Sequence, residues 1–177
     1  KFTFRLLLVI AILPWADCLA QTTRSSPPII QLSGDAVAIG TAHGTELADA
    51  IHQLDSGFLC KAIAPAARPQ ALQAAAIFRE KIDPGYVAEI DAMADAAKID
   101  RGEMMLANCF LDLTRTIACS TITLPADAAP DHVMRFARNL DFPSLGIAGN
   151  YSVVLVYHPI GRFAFATIGW PSMIGAL

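Results

Sequence analysis

The chain has 177 residues, 54% of them apolar, and a formal charge of −3 at neutral pH. That is enough apolar material for one domain with a buried core, and it excludes an intrinsically disordered chain. The mild acidic excess, with no basic stripe, excludes a nucleic-acid surface of the usual electrostatic kind.

Residues 1–20 read as a secretory signal: Lys1 and Arg5 flank the apolar run 6–13, Pro14 breaks it, and Cys18-Leu19-Ala20 ends on a small residue. The apolar run is far short of the roughly 20 residues that a membrane span needs. A lipoprotein anchor at Cys18 is disfavoured by Asp17, which stands where a small residue is usual. The sequence opens without Met and is expected to begin after its initiator. The chain is therefore expected to be secreted or periplasmic, with no stable membrane anchor and no nucleic-acid partner. Removing Lys1, Arg5 and Asp17 with the signal leaves 11 basic and 15 acidic residues, a formal charge of −4. Cys18 leaves too, so Cys60, Cys109 and Cys119 remain, an odd number that leaves at least one thiol unpaired within the chain. A Cys60–Cys109 bridge with Cys119 free and a pair of buried free thiols are both open.

After the polar linker 21–26, Pro27-Pro28 starts an extended stretch. Ile30 and Leu32 alternate before a turn at Gly34-Asp35, and 36–39 is expected to return as a second strand. Gly40 and Gly44 then punctuate the entry into a helix whose Leu47, Ile51, Leu54 and Phe58 form one apolar stripe. His43 and His52 lie here. They lack the i, i+4 spacing and the carboxylate frame of a metal motif, so packing or surface roles are expected of them. Pro69 is placed to open a second helix over 70–81, which Asp83-Pro84-Gly85 closes. A third helix carries Val87, Ile90, Met93, Ala94 and Ala97 on one side. A fourth starts at a capping box, Asp100 with Glu103, and carries Met105, Leu106, Cys109, Phe110 and Leu113.

At Cys119 the pattern changes. Segments 117–124 and 133–142, rich in β-branched and aromatic residues, flank the 125–130 turn and predict a hairpin. A second hairpin is predicted from 151–157 and 162–169 around His158-Pro159-Ile160-Gly161. Four β segments after a helical region indicate an α+β fold. His158 as the base of a papain-like Cys and His pair is disfavoured, because such cysteines open a helix and Cys119 stands in a strand pattern.

A thiol with a pKa of about 8.5 needs a base beside it at neutral pH. If the peptide bond between Ala118 and Cys119 is cut, Cys119 gains an α-amine of pKa about 7.7 to 8.0, suited to taking the proton of its own thiol. The cluster Arg138-Asn139-Leu140-Asp141 lies on the neighbouring strand, where Asp141 can hold that amine and Asn139 line the site. Strict alternation places Arg138 and Asp141 on opposite faces, so a bend or bulge near Asn139 is expected if both serve one site. Against this stands the ordinary reading of a lone cysteine as buried core and of Arg138 with Asp141 as a structural ion pair.

Cys119-Ser120-Thr121-Ile122 followed by Arg138-Asn139-Leu140-Asp141-Phe142 resembles the cysteine branch of the N-terminal nucleophile (Ntn) hydrolases, which includes the acyl-coenzyme A:6-aminopenicillanic acid acyltransferase family, choloylglycine hydrolases and acid ceramidase-like amidases. Ile39-Gly40-Thr41-Ala42-His43-Gly44 and Leu106-Ala107-Asn108 are similar to segments preceding the nucleophile in the acyltransferase branch, so the likeness runs from about residue 30 onward. The interval from Cys119 to Asp141 is slightly longer than in the amidase branches, and the 125–130 loop can absorb the excess. The resemblance implies an αββα sandwich, with 21–118 as a mostly helical prosegment or α chain and 119–177 as the start of the nucleophile-bearing sandwich. It implies catalytic roles for Cys119, Arg138 and Asp141, and self-cleavage between Ala118 and Cys119 into two chains that stay partners. The substrate is an acyl amide whose acyl group passes through a Cys119 thioester to water or to an amine. No cofactor and no metal are expected. Such a sandwich needs more strands than are present, so the chain is expected to be the N-terminal part of a longer protein, with the family's oxyanion asparagine beyond residue 177. The alternative from another class is a noncatalytic secreted α+β binding domain with Cys119 in its core.

Overall fold

The computed structural model describes residues 26–114, 118–141 and 144–174. The segment 1–20 expected to be a signal, Ile117, Phe142 and the end 175–177 lie outside the described residues. The architecture is mixed α+β. Strand β1 (Ile29–Gly34) leads into six helices: α1 (Ala36–Glu46), α2 (Ala48–Leu54), α3 (Cys60–Ala62), α4 (Arg68–Arg79), α5 (Pro84–Ala97) and α6 (Arg101–Thr114). The hairpin β2 (Ala118–Leu124) and β3 (Arg135–Asp141) follows, then β4 (Val153–Pro159) and β5 (Phe165–Gly169). β1, β4 and β5 form a three-stranded sheet in the order β1-β4-β5, while β2 and β3 form a separate two-stranded sheet among the described residues.

The segment after β1 departs from the expected return strand. Asp35 caps a helix instead, its carboxylate accepting from the Ala38 N–H at 2.8 Å. β1 finds its partner more than a hundred residues later, running parallel to β4 with Leu32 level with Tyr157. Gly40 and Gly44 are not the entry to a helix but the inner face of α1. A Cβ at Gly40 would lie 2.1 Å from the Glu89 carbonyl oxygen, and one at Gly44 2.3 Å from that of Met93, so only glycine lets α1 lie this close against α5.

The apolar stripe Leu47, Ile51, Leu54 and Phe58 is buried as expected, running through α2 into a π-helical turn, Asp55–Leu59. α4 and α5 appear near the expected positions. Asp83-Pro84-Gly85, however, opens α5 more than it ends α4: Asp83 accepts from the Gly85 N–H at 2.7 Å, and Pro84 occupies the first turn, where no N–H is needed. α5 closes on Lys98 in the left-handed region (φ 58°), with the Ile99 N–H donating back to the Ala94 carbonyl at 3.0 Å. At α6, Asp100 accepts from Gly102 N–H and Glu103 N–H, but Glu103 does not complete the box. Its carboxylate instead takes two hydrogen bonds from Arg68, at 3.1 and 2.6 Å, tying α4 to α6. Met105, Leu106, Cys109 and Phe110 are buried, and Leu113 is exposed.

One core results. Leu32 of β1, Val153, Leu155 and Tyr157 of β4, Ile39 of α1, Ile90 and Met93 of α5 and Leu106 of α6 all belong to it. Asn108 fastens the segment after β5 to this core: its Nδ2 donates to the Ser172 carbonyl at 2.7 Å, and its Oδ1 accepts from the Ile174 N–H at 3.0 Å. Among the described residues Cys60, Cys109 and Cys119 are all free; Cys109 is buried, while Cys60 is exposed, so neither the Cys60–Cys109 bridge nor a pair of buried thiols is what the structure holds.

Candidate active site

Antiparallel pairing of β2 and β3 is unbroken from Ala118 opposite Asp141 to Leu124 opposite Arg135. In such a ladder directly opposed residues share a face, and faces alternate along each strand. Thr121 is opposite Arg138, so Arg138 shares the face of Thr121 and, two residues away, Cys119. The diagonal is short enough for contact: Arg138 Nη2 donates to Cys119 Sγ at 3.0 Å. The guanidinium thus brings a charged donor directly onto the sulfur.

Ser120 is opposite Asn139 on the other face, and Asp141 follows Asn139 there. Asn139 Nδ2 donates to Asp141 Oδ1 at 2.8 Å, which fixes the carboxylate. The expected bulge near Asn139 is absent from this ladder, and Arg138 and Asp141 do stand on opposite faces. The sulfur and the backbone nitrogen of Cys119 also differ in position. Sγ projects to one face, whereas the amide nitrogen of Cys119 lies in the plane of the strands. Asp141, level with Ala118, is at the height of the peptide bond that would have to be cut.

Cys119 itself is exposed, not packed in the core. The hairpin also leaves apolar side chains open, Ile122 at 72% and Phe136 at 64%, so it is not held by burial of its own faces. His158 is the penultimate residue of β4, where its Nε2 lies 3.2 Å from Gln31 Oε1 of β1. His52 is exposed, and His43 is wholly buried between helices with neither ring nitrogen hydrogen bonded. Burial lowers its pKa to about 4, so it is a neutral packing residue. Among the described residues no group of three or more His, Cys, Asp or Glu side chains is arranged to hold a metal. No described helix is long and apolar enough to cross a membrane.

The sequence reading passed over Glu89 and Tyr157. Glu89 falls at the i−1 position of an apolar stripe on α5 and looks like a surface residue, yet it is 9% exposed with Oε1 unpartnered. Comparison with protein-family models and with curated proteins gave no match.

Proposed function

We propose that this chain carries the nucleophile of an exported, self-processing amidase or acyltransferase of the N-terminal nucleophile type, built on the αββα sandwich of that class. The observation that supports it is the pairing at Cys119: a guanidinium on its sulfur and a carboxylate across from the residue before it. In processing, Cys119 Sγ attacks the carbonyl carbon of Ala118, the carbon-nitrogen bond breaks, and the nitrogen takes the thiol proton to become the Cys119 amine. Water then cleaves the thioester, leaving a carboxylate on Ala118 and restoring the thiol. In turnover the same sulfur attacks an acyl amide, the Cys119 amine relays the proton to the departing amine, and the thioester passes to water or to an acceptor amine. Asp141 holds the ammonium form and fixes its direction. Arg138 donates to the sulfur and orients the acyl oxygen through its fixed donors. The amino-terminal signal directs the protein out of the cytoplasm.

The test is self-cleavage. Mass spectrometry of the expressed protein should find two chains, the second starting at Cys119, and Cys119→Ala should give one. Asp141→Asn should abolish or slow the cut while the circular dichroism spectrum and denaturation midpoint stay those of the parent. A wild-type protein that remains a single intact chain through purification and storage counts heavily against the reading.

A further inference from the structure

A second polar site lies outside the hairpin. A cleft of about 390 Å³ opens where the β1–α1 junction, the first turns of α5 and the β4–β5 turn meet, and no residue of β2 or β3 lines it. Two of its lining side chains carry buried polar atoms without partners among the described residues: Oε1 of Glu89 and Oη of Tyr157, the latter residue only 3% exposed. Buried polar groups are nearly always hydrogen bonded, because an unpaired one forfeits its hydration for nothing. Two in one cleft indicate a missing partner, and the ionised Glu89 carboxylate, which can only accept, calls for a donor.

The surroundings specify its charge. Among the lining residues three are acidic, Asp35, Asp83 and Glu89, against one cation, Arg162, which is exposed. Asp35 and Asp83 are already engaged by the helix starts that they cap, and among the described residues no salt bridge reaches Glu89. The apolar wall includes Ile39 and the stacked rings of Tyr157 and Phe165, with centroids 4.6 Å apart. A carboxylate, a phenol oxygen and an aromatic face together suit a cation that has an apolar body. We propose that this cleft binds a primary ammonium compound with a short alkyl or aryl chain, its ammonium donating to Glu89 and Tyr157 and its chain lying along Ile39 and Phe165. Burial raises the Glu89 pKa to about 7, so at pH 8 the carboxyl is mostly ionised and able to accept from an ammonium.

The test uses the full chain, n-hexylammonium and its uncharged counterpart hexan-1-ol, in isothermal titration calorimetry at pH 8 and low salt. Saturable binding of hexylammonium is expected, with the alcohol at least about tenfold weaker, the loss of one charge-assisted hydrogen bond. Glu89→Gln should weaken hexylammonium by at least about tenfold for the same reason. Arg162→Glu, a change at the exposed mouth that leaves the buried groups in place, should tighten it by roughly two- to fivefold. Cys119→Ser should bind like wild type, which separates this site from the proposed nucleophile. The proposal is overturned by absence of saturable hexylammonium binding, by equal affinity for the alcohol, or by a folded Glu89→Gln that keeps wild-type affinity. Should Glu89→Gln not fold, an Arg162→Glu protein with unchanged affinity overturns it equally.

Discussion

Where α1 lies against α5, Gly40 and Gly44 let backbone approach backbone and His43 is sealed from water. In the hairpin β2–β3, Cys119 stands open and large apolar side chains are exposed. The first region fills its space so fully that one added carbon has nowhere to go. The second is held by its ladder and by a few polar contacts, Arg138 to Cys119 and Asn139 to Asp141 among them. The close packing and the proposed chemistry thus fall in different parts of the chain, so changes in one part should leave the other largely untouched.

The sharpest way to break that division is Gly40→Ala. Its Cβ would meet backbone, which cannot swing aside as a side chain can, so a loss of about 3 kcal/mol or more is expected in urea denaturation. A denaturation midpoint equal to wild type would mean that α1 and α5 do not pack this closely.

Next in size is an effect of pH within the packed region. Glu89 binds its proton more tightly folded, at about 7, than unfolded, at 4.5. Its contribution is full below pH 4.5 and is lost as pH rises to 7, on the order of 3 kcal/mol in all. His43 acts in the opposite sense, since its folded pKa of about 4 lies below the ordinary 6.5: stability is full above 6.5 and declines as pH falls toward 4. Between pH 4.5 and 6.5 the two slopes oppose each other and the wild-type midpoint should be nearly flat. Glu89→Gln removes one slope, so its midpoint should climb with pH across that window; a variant as flat as wild type would refute the pairing of these two effects.

Arg138→Lys should leave stability where it was and act on the hairpin alone. Lysine keeps the charge but not the fork, so labelling of the processed enzyme by a thiol-reactive acyl probe is expected to slow by roughly tenfold. Labelling at the wild-type rate from pH 6 to 9, a range chosen to bracket roughly the ordinary amine and thiol values, would remove Arg138 from the site. The smallest effect belongs to Arg135→Ala. Its bonds to Asp131 are exposed on both sides, and neither midpoint nor processing should change measurably.

Much of this was legible from residue order. Apolar residues at helical spacing marked α2, α5 and α6, and the contrast between β-branched runs and Pro-bounded turns marked both hairpins. α1 was not legible because its inner face is made of Gly40, Gly44 and His43, which carry no apolar period, while Val37, Ile39 and Thr41 favour a strand. Only the tertiary approach of α5 selects the helix. At the candidate site, alternation correctly put Arg138 and Asp141 on opposite faces. The bulge that would bring both to one face is absent, because the ladder register runs unbroken from Ala118 to Leu124. Glu89 was hidden by its type, since a carboxylate is read as solvent-facing until the fold closes around it.

The parallel register of β1 with β4 joins a strand that comes before residue 118 to one that comes after it. Scission ahead of Cys119 would therefore make two polypeptides without making two bodies. Six cross-strand pairs and the Asn108 bonds to the segment beyond β5 would still span the break, and no disulfide among the described residues would. The nicked protein should elute as one species from a sizing column in native buffer and separate into two in denaturant without any reductant.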